Sequence, residues 1–325
     1  MAKSYGSVMR VGNAVKLGLK IAAVCFAFGV CFAMGGALAG VARLVPQVAA
    51  QTAQPNFFLP FAVFCLSVGS VVSYLILRSS WSGWQLAAAL FAATYGISTI
   101  AAQLDSLFFL SGKLPAGMIR ALFEQGAIAM ALFTLLALSL LGKWKPTPMP
   151  IGNAGAPLTA AALSWRIASL VVAFVFLYFV FGYYVAWQNP ALRAYYGGTD
   201  AVSFYESLKT NWRQQPLLFL LQACRALLYV ACVYPLLRML RVARWEKAVA
   251  AALFLASWTT ALLLPNPLMP ATVARSHFWE TLGFNLTFGV LMGCLLERAA
   301  PGVARLSSEI GSKWPMNRAN QKSGP

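Results

Sequence analysis

Leu17-Gly-Leu-Lys-Ile-Ala-Ala-Val-Cys-Phe-Ala-Phe-Gly-Val-Cys-Phe-Ala-Met-Gly-Gly-Ala-Leu-Ala-Gly-Val41 carries a single charge, Lys20. A bilayer core is crossed by about 20 mostly apolar residues wound as a helix. No water is present there, so the backbone must satisfy its own hydrogen bonds. This stretch therefore reads as a membrane helix. Its opening is echoed later in the chain, as Leu163-Ser-Trp-Arg-Ile-Ala168. Three further echoes keep the same order. Tyr74-Leu-Ile-Leu-Arg78 returns as Tyr234-Pro-Leu-Leu-Arg238, and Ala87 to Phe91 returns unchanged as Ala250 to Phe254. Pro115-Ala116 with Arg120 and Glu124 returns as Pro270-Ala271 with Arg275 and Glu280. Apolar segments share letters by chance, so the conserved order is the stronger signal. It predicts a duplicated membrane domain.

The rest of the chain fits that reading. Of 325 residues, 60% are hydrophobic and 10% are charged. Soluble domains carry roughly a quarter charged residues. Eight apolar segments are expected to span, near 17–41, 57–77, 84–104, 117–141, 163–187, 216–237, 246–264 and 277–296. The expected fold class is all-α, a polytopic membrane bundle with two parallel four-helix repeats. Its expected parts are a basic leader at 1–16, a first repeat at 17–141 and a linker at 142–162. A second repeat follows at 163–297, with an outer loop at 188–215, and then a disordered basic tail at 298–325.

The formal charge of +17 would suggest nucleic acid in a soluble protein. Here the basic residues lie in short loops and tails between apolar runs, which is the pattern that orients membrane proteins. With the N-terminus placed inside, 17 of the 25 Lys and Arg residues fall on the inner side. Arg43, Lys113, Arg120, Arg193, Lys209, Arg213 and Arg275 fall outside, and Arg225 falls within a helix. Both termini are therefore expected in the cytoplasm, with membrane lipid rather than nucleic acid as the partner. Ala37-Leu38-Ala39 resembles a cleavage site, but the long run and its internal partner favour retention as a span. This topology predicts that cysteines at Gln54 and Thr199, in a cysteine-free background, react with an impermeant reagent applied from outside. Cysteines at Ser80 and Ser312 are expected to stay unlabelled, and labelling at Ser312 in intact cells would reverse the assignment.

The six cysteines all lie in apolar runs without a CxxC pair, and they read as free thiols. The outer loop carries Tyr195-Tyr-Gly-Gly198 as a turn signal. Ser203 with Glu206 resembles a capping box. Phe204, Leu208 and Trp212 follow at helical spacing, which suggests a short helix in the outer interface. Pro60 and Pro235 are expected to interrupt the second and sixth helices.

Charges inside a membrane are costly and mark candidate sites. Arg225 lies about ten residues into its helix, roughly 15 Å deep at 1.5 Å per residue, with Gln222 on the same face. Glu124 lies two turns into the fourth helix, one turn from Arg120. Asp105 closes the third helix. His277 and Glu280 open the eighth, with Asn285 deeper. These eight residues are the candidate ligand site. The expected geometry is an outward-facing polar cavity walled by helices four, six and eight, with Glu124 or Glu280 facing Arg225. The alternative is a charge-balanced packing network. His277-x-x-Glu280 has a metal-ligand spacing, but the chain has one histidine. Carboxylate-bridged di-metal bundles and bis-histidine haem need more, so no cofactor is expected. No Gly-x-Ser-x-Gly elbow or Walker loop is present. Binding or movement of a small polar or anionic solute is the leading expectation. A membrane enzyme acting on a lipid or lipid-linked substrate, or a structural subunit, is the alternative.

Phe181-Gly-Tyr-Tyr-Val-Ala-Trp-Gln-Asn-Pro190 with Tyr196-Gly-Gly198, and Leu264-Pro-Asn-Pro-Leu-Met-Pro270 leading to His277-Phe-Trp-Glu280, resemble a group of bacterial multi-pass membrane proteins. The resemblance covers mainly the second half and implies a bacterial inner-membrane setting, with no activity attached. The four-plus-four plan is also similar to that of haem A synthase, whose histidines are missing here, so that chemistry is not carried over.

Overall fold

A computed structural model describes residues 2–45, 55–110, 112, 114–145, 159–198, 202–266 and 269–297, with side chains from Gly12 onward. Most of the expected linker and the whole tail lie outside the described residues. Eight helices are long and apolar enough to cross a membrane, and they are numbered α1 to α8. They are Gly12–Leu38, Phe58–Arg78, Gly83–Phe109, Met118–Leu141, Ala160–Ala186, Pro216–Met239, Arg244–Leu263 and Ala271–Leu295. Among the described residues the only strand-like pairing is an isolated bridge between Ser79 and Leu240. The protein is thus an all-α, multi-pass membrane bundle.

Two boundaries differ from the sequence reading in ways that matter. Helix α3 continues past 104 to Phe109, so Asp105 lies within it rather than closing it. Helix α8 starts at Ala271, directly after Pro270, rather than at 277. Proline fixes its own φ and lacks an N–H, which suits a helix start. His277 and Glu280 are therefore two turns inside the helix. Pro60 falls in the first turn of α2, and Pro235 lies inside α6, which runs on to Met239, so neither interrupts its helix.

In the first half α1 packs on α2 and α4, and α3 packs on α4. In the second half α5 packs on α6 and α8, and α7 packs on α8. The halves meet where α2 touches α7 and α3 touches α6. Buried aromatic rings fill both halves. Phe28 meets Phe133 with ring centroids 5.0 Å apart, and Phe174 meets Phe288 at 4.9 Å, both edge to face. Those geometries suit the ring quadrupole.

One end of the bundle holds the ends that lead into and out of the linker, and is called the linker end. Its charges are largely tied down. Arg78 pairs with Glu246 at 2.7 Å, and Tyr74 donates to the same carboxylate. Lys247 pairs with Glu297 at 2.7 Å. Arg166 donates to the Leu295 and Glu297 carbonyls, and Arg244 to the Cys294 carbonyl, capping the C-terminus of α8. Lys143 is buried and donates to the Ser79 carbonyl at 2.9 Å. Burial pushes its pKa below the ordinary lysine value. Trp84 stacks edge-on against Trp144 at this end.

The opposite, distal end carries the long loop. Asn189 caps a short helix, Pro190–Tyr195, which the sequence reading missed. Ser203 caps the expected helix at Phe204–Gln214, its hydroxyl accepting from the Glu206 N–H. Tyr205 and Trp212 on that helix are exposed, while Phe204 packs on Tyr183 and Tyr184. The six cysteines are free. Cys25, Cys31, Cys65 and Cys232 are buried, and Cys224 is exposed.

Candidate functional site

Toward the distal end, α3, α5, α6 and α8 bring ionisable groups together. Arg225 on α6 reaches Asp105 on α3, Nη2 to Oδ2 at 2.9 Å. Its Nη1 donates to Gln222 Oε1 at 2.8 Å. The guanidinium also lies 5.8 Å from the centre of the Phe174 ring on α5, a cation–π contact strengthened by desolvation. Tyr229, one turn along α6, interacts with the guanidinium and packs edge-on against the same Phe174 ring. The sequence expectation that Glu124 or Glu280 faces Arg225 is corrected: the partner is Asp105.

The reason is a local deformation. Residues 96–100 of α3 form a π-helical turn. In an uninterrupted α-helix, nine residues sweep about 900°, which would set Asp105 on the side opposite Gly96. Gly96 is where α3 presses on α6, with no room for a Cβ beside Cys232. A π turn absorbs one extra residue and takes out about 100° of that sweep. Asp105 is thereby turned back toward α6. A second π turn, Gly182–Ala186, ends α5 beside the same cluster. A side chain at Gly182 would contact the Glu280 carboxylate. Single π turns collect at functional sites, and neither was visible in the apolar pattern.

On α8, His277 Nδ1 lies 2.7 Å from Glu280 Oε2. His277 Nε2 lies 3.1 Å from the Tyr196 hydroxyl, contributed by the distal loop. The Tyr196 ring also packs edge-on to the imidazole and to Phe109 of α3. Burial, then the neighbouring Tyr195, Glu280 and Asp105, push the Tyr196 pKa up, so its hydroxyl keeps its proton. Asp105 lies within electrostatic reach of Glu280 and His277 as well as Arg225. Tyr178 on α5 stands among Asp105, Glu280, Arg225 and Tyr196. The sequence reading took neither tyrosine as a site residue: nothing in an aromatic-rich apolar run distinguishes a Tyr178 that faces charge from one that faces lipid, and Tyr196 was read only as part of a loop turn.

The other candidates are used elsewhere. Glu124 pairs with Arg120 at 2.7 Å on an exposed helix face. It forms no part of the cluster, so α4 is not a wall of the site; α3 takes that place. Asn285 is buried and donates to the Leu255 carbonyl and Thr259 hydroxyl, fastening α8 to α7.

The cluster is not saturated. Asp105 Oδ1, Arg225 Nε and Gln222 Nε2 are buried without a hydrogen-bond partner among the described residues. Gln222 is fully buried. A buried polar atom left unpaired costs about 1–3 kcal/mol. A cleft of about 290 Å³ lies beside this cluster, lined by Val185, Asn189, Thr272, Arg275, Ser276 and Trp279. It occupies the neighbouring face of α8, and none of the eight candidate residues lines it, so it is not the cavity expected around Arg225. Compared with known protein families, with curated proteins and with solved structures, the chain matches none.

Proposed function

We propose that this membrane protein binds a small polar solute at the Arg225–Asp105 pair, admitted from the distal end. The carrying observation is the set of three unpaired buried atoms. Two are donors, Arg225 Nε–H and Gln222 Nε2–H, and one is an acceptor, Asp105 Oδ1. A solute that satisfies all three presents acceptor and donor atoms close together. Carboxylic acids, amides and amino acids do so. A bare anion would satisfy the donors and repel Asp105.

The same reading takes the halves as parallel repeats, with the linker end in the cytoplasm of a bacterial cell. The Lys and Arg excess at that end supports the orientation. The repeat is supported by the matching helix pairings and by two matched contacts. The sequence offsets that align the halves carry Phe28 onto Phe174 and Phe133 onto Phe288. Setting Leu17 on Leu163 and Pro115 on Pro270 also carries Gly36 onto Gly182 and, correcting the looser Glu124 match, Gln125 onto Glu280; a side chain at Gly36 would meet the Gln125 amide just as one at Gly182 would meet Glu280. The first half thus holds a neutral counterpart: Cys65, Phe32 and Leu122 stand where the second half has Arg225, Tyr178 and His277. Arg225, His277 and Glu280 come from the second half and Asp105 from α3 of the first, so the site lies on the α3–α6 contact between the halves.

A second reading has one specific observation in its favour. The Glu280–His277–Tyr196 chain could serve general acid–base chemistry on a lipid-linked substrate.

The test is thermal stabilisation of the purified protein by acetate, acetamide, glycine and inorganic phosphate. A solute at ten times its Kd stabilises by about 1.4 kcal/mol. Acetamide or glycine, which present both donor and acceptor atoms, is expected to raise the melting temperature of the wild type, whereas acetate and phosphate are not, and Gln222→Leu is expected to abolish the gain. If no probe stabilises the wild type more than Gln222→Leu, the solute reading fails.

A further inference from the structure

We propose that His277 and Glu280 form a proton-binding site linked electrostatically to the Arg225–Asp105 pair. The geometry is a line of groups leading inward from the distal loop. Tyr196 hydroxyl meets His277 Nε2, and His277 Nδ1 meets Glu280 Oε2. Asp105 stands within electrostatic reach of both α8 residues and is paired with Arg225. His277 and Glu280 are mostly shielded, with side chains 22% and 15% exposed.

Each element around the imidazole contributes a known charge or dipole. Helix α3 supplies Asp105, α5 supplies Tyr178, and α6 supplies Arg225 and Tyr229. Helix α8 supplies Glu280, while Arg275, two residues before His277, lies around the helix on the face that lines the neighbouring cleft. The distal loop supplies Tyr195 and Tyr196, together with Arg193, which donates to the Trp187 carbonyl. Helix α7 brings the neutral Leu255 carbonyl and Thr259 hydroxyl to Asn285.

Charge counting gives the direction of the linkage. With His277 neutral, the buried core of Asp105, Glu280 and Arg225 carries one net negative charge. A proton on His277 cancels it. An acidic group bound at Arg225 adds a negative charge and favours that proton further. Linkage is reciprocal, so the proton strengthens binding of the acid by the same factor. This consequence rests on the solute reading, but the proton site and its coupling to Arg225 do not. Two unit charges about 10 Å apart at an effective dielectric constant near 20 interact by roughly tenfold in an equilibrium constant.

The chain contains one histidine, so selectively labelled protein in lipid nanodiscs gives one imidazole signal by ¹⁵N NMR. The pH is set where half of His277 is charged in the wild type. In Glu280→Gln the ratio of charged to neutral imidazole is expected to fall about tenfold or more. In Asp105→Asn it is expected to fall severalfold, and in Arg225→Gln to rise severalfold. The double variant Asp105→Asn/Arg225→Gln leaves no stranded charge and keeps the test readable if a single variant does not fold. It is expected to return the ratio to within about twofold of the wild type, because the two deleted charges cancel. A ratio unmoved by Glu280→Gln would remove the proton site. If the ratio moves with Glu280→Gln but neither single change at Asp105 or Arg225 shifts it, the linkage is wrong. If the singles do not fold, a double variant far from the wild-type ratio overturns the linkage. Failure of every solute probe would leave these ratios untouched, so the two proposals fail separately.

Discussion

Arg225→Ala is expected to destabilise the protein by about 3–5 kcal/mol, because it strands the Asp105 carboxylate in a membrane helix without its partner. The pair is 2.9 Å apart, with the Arg225 side chain 12% and the Asp105 side chain 34% exposed, so solvent screening at Asp105 brings the loss toward the lower end of that range. The loss measures the stranded charge, not the net worth of the pair. The neutral pair Asp105→Asn/Arg225→Gln is therefore expected to recover most of the stability. Unfolding is followed with a thiol-reactive dye, since Cys25, Cys31, Cys65 and Cys232 are buried until the bundle opens. The neutral pair also separates structure from function. It keeps the packing but replaces the charges that a solute would read. Recovered stability with lost solute-dependent stabilisation, and with loss of whatever phenotype the intact gene supports, is the expected outcome. Recovered stability with function intact would leave Arg225 a packing residue and end the solute reading. An Arg225→Ala variant that melts with the wild type would mean that water reaches the pair freely.

That experiment turns on Asp105, a candidate from the sequence whose role was misread. Each apolar run announced its helix, because a span needs only length and hydropathy, and both are local. The i,i+4 pair of Arg120 and Glu124 was equally legible, since both partners lie on one helix. That legibility misled, because Glu124 is spent on Arg120 and has no role in the cluster. Arg225's partner is a property of two helices and their rotations. The rotation of α3 is reset by a π turn whose only sequence trace is Gly96 within an apolar run. The depth of His277 was missed for a simpler reason. Arg275 suggested that residues 271–276 were still outside, whereas Pro270 sets the helix start. Of the site's tyrosines, Tyr178 carries no local mark, and the mark at Tyr196 is that of a turn rather than of a site.

Gly293→Val is expected to be the most damaging change outside the polar site, because α8 has no room for a side chain where it crosses α7. A Cβ on Gly293 would run into the Ala248 backbone, and one on Gly289 into the Ala252 backbone. Gly289-Val-Leu-Met-Gly293 on α8 thus faces Ala248 and Ala252 on α7 at the same four-residue spacing. Lipid offers no hydrophobic force to press two apolar helices together, so close backbone approach through small residues carries the association. Overpacking a core costs about 1–3 kcal/mol per site, and here the obstacle is main chain, which cannot rotate away. Gly289→Val/Gly293→Val is expected to lose more than either single change and to accumulate poorly. Gly18→Val is the control, because Gly18 is exposed with open space around it. It is expected to melt with the wild type. The seam also holds α8 in the rotation that directs Glu280 toward Gly182 and Asn285 toward Thr259. A milder Gly293→Ala should therefore lower the melting temperature and also change the His277 ¹⁵N signal, although His277 lies more than four turns away. A Gly293→Ala protein that loses stability while its imidazole signal stays unchanged would show that the distal site is held by α5, α6 and the loop, independently of the α7–α8 seam.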